Sequence, residues 1–138
     1  MKAKILAIID DQPEMEDIYF LILEPLILQG LVQMKFFEDS RDFLQWLGPS
    51  EQNTPDLIFC DINMPYMDGI ALCRRLRQES STGLRQNMQI VLVSGDHPRE
   101  HVDEMKELGI SHYISKAASP TEILQLCLRE NVLQEAIS

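Results

Sequence analysis

Five short apolar runs, each followed by a helix-like stretch and most of them ending on a polar residue, constrain this chain more than any other feature. Lys2–Ile9 is β-branched and almost continuously apolar until Asp10 and Asp11 stop it, as expected of a strand buried on both faces. Pro13 opens and Gly30 closes a long apolar helix, each in its favoured terminal place. Val32–Phe37 reads as a second strand, and Ser40 caps a helix in which Phe43, Leu44, Trp46 and Leu47 recur at helical spacing before Gly48 and Pro49. Leu57–Cys60 is a third strand running into Asp61, and Gly69 to about Glu79 a third helix, with Ile70, Cys73 and Leu76 inward. Gln89–Val93 is a fourth strand ending at Ser94 and Gly95, followed by a helix from Pro98 to Leu108 that Gly109 stops. Ile110–Ser115 is the fifth strand. Ser119-Pro120-Thr121-Glu122 is a capping box opening a last helix with Ile123, Leu124, Leu126, Cys127 and Leu128.

Strict alternation of strand and helix predicts a doubly wound α/β fold, a five-stranded parallel sheet covered on both faces, because parallel strands need right-handed crossovers. At 138 residues the chain has room for one domain, 1–138. Ligands bind such sheets at the carboxyl ends of the strands. That is where the polar exceptions fall: Asp10 and Asp11 after the first strand, Asp61 after the third, Ser94 after the fourth and Lys116 after the fifth. Carboxylates gathered on one rim raise one another's pKa unless a cation neutralises them. Hard oxygen donors without His or Cys suit magnesium, which keeps several waters and accepts phosphate oxygens. Asp61, on the central strand, is the candidate nucleophile, since carboxylates form aspartyl-phosphate intermediates. The Ser94 hydroxyl and Lys116 ammonium supply the donor and counter-charge that a phosphoryl group in transfer requires.

Composition removes other classes. Twelve Lys and Arg against 22 Asp and Glu leave a net charge of −10, which repels nucleic acid and anionic lipid alike. The longest apolar run, Ile18–Leu23, is far short of the ~20 residues that span a bilayer, and the N-terminus has no signal-peptide pattern. We read the chain as cytoplasmic. Cys60, Cys73 and Cys127 are too few and too scattered for a disulfide framework or zinc site and read as buried small hydrophobes. His97 and His101 stand four apart without a third ligand and read as exposed helix residues.

Four segments, Ile8-Ile9-Asp10-Asp11, Asp61-Ile62-Asn63-Met64-Pro65-Tyr66-Met67-Asp68-Gly69, Val93-Ser94-Gly95 and Tyr113-Ile114-Ser115-Lys116, in this order and spacing, resemble the receiver domain of two-component response regulators over nearly the whole chain. The resemblance implies a flavodoxin-like sheet of order 2-1-3-4-5. It implies that Asp61 accepts a phosphoryl group from a histidine kinase or His-phosphotransfer protein. Asp11, Asp61 and the backbone carbonyl of Asn63 would bind Mg2+ directly, and Asp10 through water. Lys116 would pair with the phosphoryl group, and Ser94 would swing towards it as Tyr113 turns inward. The face of helix four, strand five and helix five would then change and control a downstream protein. Asn63 and Asp96 match positions that tune the lifetime of the acyl phosphate. The simpler reading of Tyr113 is half-buried packing.

One position departs from the family: Ala117 stands where proline, joined by a cis bond, usually follows the lysine. A cis bond before a non-proline residue costs roughly 2.5–4 kcal/mol, against about 0.5–1 before proline. The alternatives are a trans bond with a shifted loop, or a strained cis bond held by the site. Ala117 also supports a competing function, a pseudo-receiver that binds partners without phosphorylation. A haloacid dehalogenase-like phosphatase is rejected, because it needs Asp-x-Asp where this chain has Asp10-Asp11-Gln12. The first helix is apolar nearly all round: at 100° per residue Ile18, Leu21 and Ile22 share one face and Phe20, Leu23 and Ile27 the opposite one, with Pro25 inside as an expected kink. We read its surplus as a docking patch, for the kinase's helical bundle or for a second copy of the chain.

Overall fold

The computed structural model describes residues 3–48, 53–78, 88–95, 101–110 and 112–129, without the side chains of 126, 128 and 129. Along these residues strand and helix alternate as β1 (Lys4–Ile9), α1 (Met15–Leu28), β2 (Val32–Phe37), α2 (Ser40–Leu47), β3 (Leu57–Asp61), α3 (Gly69–Gln78), β4 (Gln89–Ser94), α4 (Val102–Glu107), β5 (His112–Ser115) and α5 (Pro120–Arg129). The strands form one sheet in the order β2-β1-β3-β4-β5, and every neighbouring pair is parallel.

Side chains on a strand point alternately to the two faces, and both faces here are covered. Leu6, Ile8, Leu57, Phe59, Val91 and Val93 point to one side, where they meet Tyr19, Ile22 and Leu23 of α1 and Ile123 and Cys127 of α5. Ala7, Ile9, Ile58, Cys60, Ile90 and Leu92 point to the other, against Phe43 and Leu47 of α2, Ile70, Cys73 and Leu76 of α3 and Met105 of α4. This two-sided burial is why the inner strands β1, β3 and β4 are nearly continuous apolar runs. Each fully buried large side chain stabilises the fold by about 1.5–3 kcal/mol. The second layer also holds an aromatic trio: Phe37 lies 5.4 Å from Phe43 and 5.4 Å from Trp46 by ring centroids, and Phe43 lies 6.0 Å from Trp46. The three cysteines are buried and form no disulfide, and burial pushes the Cys73 thiol up to about 12, in keeping with hydrophobic packing.

Several local expectations change. The helix after β2 is capped by Asp39, whose carboxylate accepts the Arg41 N–H, and Ser40 is instead its first residue. Helix α1 starts at Met15, two residues after Pro13, and β5 starts at His112, two after Ile110. On α1 Tyr19, Ile22 and Leu23 go inward, and the apolar surplus of the helix, Ile18, Phe20, Leu21 and Leu28, is exposed. The helix continues past Pro25, which lies on the exposed side. Gly30 and Gly109 adopt φ of 74° and 72° at the ends of α1 and α4, as C-terminal stops require. Pro98, His97 and Asp96 lie outside the described residues, as do the side chains of Leu126 and Leu128. The capping box of α5 is half realised, with the Glu122 N–H donating to Ser119 Oγ at 3.2 Å.

Candidate functional site

Where β1 leaves the sheet, the Asp10 N–H still donates to the Phe37 carbonyl of β2 at 3.0 Å. Its Oδ1 then accepts the Gln12 N–H at 2.9 Å, which turns the chain at the rim. Asp61 ends β3 in register with Val93. The next residue, Ile62, donates its N–H to the Val93 carbonyl at 2.9 Å, and Asp61 Oδ1 accepts the Asn63 N–H at 3.0 Å. Each buried aspartate thus uses one oxygen to close a local turn. The carboxylates of Asp10, Asp11 and Asp61 converge, with one ligand oxygen of each within 4.8 Å of the others.

Lys116 follows β5 and reaches across the rim, with Nζ 2.7 Å from Asp61 Oδ2 and a side chain 28% exposed. Its N–H donates to the Ser94 carbonyl at 2.9 Å, so the end of β4 carries both the buried Ser94 side chain and the anchor for the lysine. The bond to Ala117 is trans, the first of the two alternatives, and Lys116 meets Asp61 all the same. Tyr113 is 41% exposed on β5, facing outward, and the Asn63 side chain is exposed.

The electrostatics follow from this crowding. Burial, reinforced by the charges of Asp61 and Asp11, holds the Asp10 carboxyl above its usual range despite the Gln12 N–H and Lys116. Burial alone would lower Lys116, but its contact with Asp61 and the charges of Asp10 and Asp11 outweigh that and raise it. At this spacing each pair of carboxylates repels by roughly 3–4 kcal/mol at an effective dielectric of about 20. One ammonium leaves that repulsion uncompensated. Asp61 Oδ2 is sealed from solvent and meets the Lys116 ammonium at 2.7 Å, a charge-assisted contact. A buried oxygen of this kind beside two further carboxylates, with no His or Cys in the cluster, fits a hard divalent cation such as magnesium.

Sequence reasoning missed the framework around Asp61. The Gly69 N–H donates to the Ile62 carbonyl at 2.9 Å, and a Cβ at Gly69 would stand 2.5 Å from the Asp61 carbonyl oxygen. Only glycine lets α3 start so close to the end of β3. Asp68 caps that helix through the Ala71 N–H at 2.8 Å. Ser40 donates its hydroxyl to the Met67 carbonyl at 3.0 Å, tying the loop to α2. Between them Tyr66 has φ 68°, a left-handed conformation costing roughly 1–2 kcal/mol for such a residue. Its ring lies under the Arg41 guanidinium at 3.9 Å, and Asp39 holds that guanidinium at 2.6 Å. The signal for Gly69 was its place at the end of the Asp61 motif; Tyr66 carried none.

Comparison with known proteins decides the family. The family described as response regulator receiver domain matches residues 6–127. The chain belongs to this family. The receiver is 33% identical over 98 residues to the nitrate/nitrite response regulator protein NarL of Escherichia coli (strain K12), an alignment spanning 68% of this chain and 43% of that protein. It is similar to a solved CheY-like receiver domain protein from Methanospirillum hungatei JF-1, with TM-score 0.78, 23% identity, and 98% of this chain and 97% of that one covered. It is also similar to the signal receiver domain of a signal transduction histidine kinase from Syntrophus aciditrophicus, with TM-score 0.74, 26% identity, and 96% and 92% covered. The receiver spans less than half the length of the curated relatives it matches. Its acidic triad is of the kind that magnesium-binding receiver pockets carry. Among the described residues, no helix is long and apolar enough to cross a membrane.

Proposed function

We propose that this receiver takes a phosphoryl group onto Asp61 from the phosphohistidine of a histidine kinase or His-phosphotransfer protein, and that the change is read by a downstream protein on the face of α4, β5 and α5. The observation that carries this is Asp61 Oδ2, buried and 2.7 Å from the Lys116 ammonium, among the carboxylates of Asp10 and Asp11. An Asp61 oxygen bonds to phosphorus, the P–N bond of the donor breaks, and the imidazole leaves with the electron pair and takes a proton from solvent. Asp10, Asp11, Asp61 and the Asn63 carbonyl are the residues that would hold magnesium. When bound, the ion supplies positive charge for the carboxylates and the phosphoryl oxygens. Lys116 places a further positive charge on those oxygens, and Ser94 offers a hydroxyl donor at the end of β4. Asn63 and Asp96 tune the lifetime of the phosphorylated state, and Tyr113 reports it by turning inward from its exposed position. The trans bond before Ala117 leaves Lys116 at Asp61, which favours this reading over a pseudo-receiver.

The test is intact-protein mass after treatment with acetyl phosphate, in magnesium and in EDTA, for wild type and Asp61→Asn. A magnesium-dependent adduct of one phosphoryl group in wild type, absent from Asp61→Asn, is expected. Labelling retained in Asp61→Asn refutes the acceptor assignment, and an unlabelled wild type refutes the receiver chemistry.

A further inference from the structure

The loop after β5 shows what this chain builds where its family uses proline. Ala117 keeps an N–H, and that N–H donates to Ser115 Oγ at 3.0 Å. One residue further on, the Ala118 N–H donates to the Ser115 carbonyl at 3.0 Å. A side-chain turn is thus nested inside a backbone turn, both closed on Ser115. Lys116 stands between the closing groups, its N–H on the Ser94 carbonyl at 2.9 Å and its Nζ at Asp61 Oδ2. Ser115 itself is paired with Ser94 in the β4–β5 register. The direction in which the lysine leaves the sheet is therefore set by three consecutive N–H groups, and two of the three are accepted by Ser115.

We infer that Ser115 is the positioning residue of Lys116, its hydroxyl and carbonyl together replacing the rigid proline turn as the device that aims the ammonium at Asp61. This rests on the receiver reading given above. It reverses an ordinary expectation. Proline at 117 has no N–H to give Ser115 Oγ, and it restricts the backbone of Lys116 before it. In this chain Ala117→Pro disrupts the turn instead of improving it.

Rates of Asp61 phosphorylation by acetyl phosphate in magnesium test the proposal, measured on variants that melt cooperatively. Ser115→Ala is expected to slow the reaction by about threefold to tenfold, the range a single neutral hydrogen bond commands. Ser115→Thr, which keeps the hydroxyl, returns it to within about twofold of wild type, inside the lower limit of that range. Ala117→Pro slows it, and adding Ser115→Ala to Lys116→Ala changes nothing further, because the serine acts through the lysine. Wild-type rates in Ser115→Ala, a faster Ala117→Pro, or an equal further loss on top of Lys116→Ala each overturn the proposal. A wild type that takes no phosphoryl group overturns the receiver reading, and this inference with it, before any variant is compared.

Discussion

Strands β3 and β5 each deliver one half of the Asp61–Lys116 pair, and they do it under opposite conditions. β3 lies between β1 and β4, and all of its residues are buried. Its end is pinned by Val93 on one side and by the close approach of Gly69 on the other. β5 is an edge strand with partly buried and exposed residues alternating. Past its end, Lys116 is held by one backbone bond to β4 and by the turn on Ser115. A site whose two charges both sat at the centre of the sheet could not rearrange. One with both at the edge could not hold its geometry. Placing the carboxylate centrally and the ammonium peripherally fixes the first and leaves the second adjustable.

Three substitutions test this contrast. Lys116→Ala removes the adjustable charge and is expected to cut the rate of magnesium-dependent phosphorylation by about a hundredfold, the scale of losing one electrostatic contact to a transferring group. Kinetics with acetyl phosphate measure it, and a loss below about fivefold on that scale would mean that the edge strand contributes little to the chemistry. Gly69→Ala strikes the fixed side, because the new Cβ meets the Asp61 carbonyl oxygen. It should lower stability by about 1–3 kcal/mol, as overpacking does, and reduce labelling in proportion. If its melting temperature equals that of wild type, the end of β3 gives way more easily than the comparison requires.

Asp10→Asn has the smallest effect and the opposite sign. The folded state holds the Asp10 carboxyl above its usual range, chiefly through burial, so it binds that proton more tightly than the unfolded chain. The stability this lends is fully present below the ordinary carboxylate pKa and is lost as pH rises through the folded value. In metal-free protein at neutral pH the ionised group is therefore a cost, and Asp10→Asn should raise the melting temperature by a few degrees, about 1 kcal/mol. The gain should fade on acidification, while stabilisation by added magnesium weakens in the variant. Melting curves at pH 7 and pH 3, with and without magnesium, check both signs.

The order of elements and the convergence of Asp10, Asp11, Asp61 and Lys116 were legible in the sequence, because buried parallel strands are apolar throughout and announce their ends by a change to polar residues. Helix α1 was not legible in the same way. Its apolar residues surround it, so no pattern distinguishes Tyr19, Ile22 and Leu23, which go inward, from Phe20 and Leu21, which do not. Asp39 and Ser40 are both good caps, and a one-residue choice between them was beyond composition. Gly69 and Tyr66 depend on distances and dihedral angles that neighbours in space impose. The turn on Ser115 was not legible because it depends on the N–H that Ala117 retains meeting the Ser115 hydroxyl, a contact that the backbone geometry decides.

The aromatic trio gives the molecule an optical property. Trp46 is its sole tryptophan, in ring contact with Phe37, and the Phe37 carbonyl accepts the Asp10 N–H. The carboxylate rim is thus one hydrogen bond and one ring contact away from a single indole emitter. A change at that rim is therefore expected to register in Trp46 fluorescence without any added label.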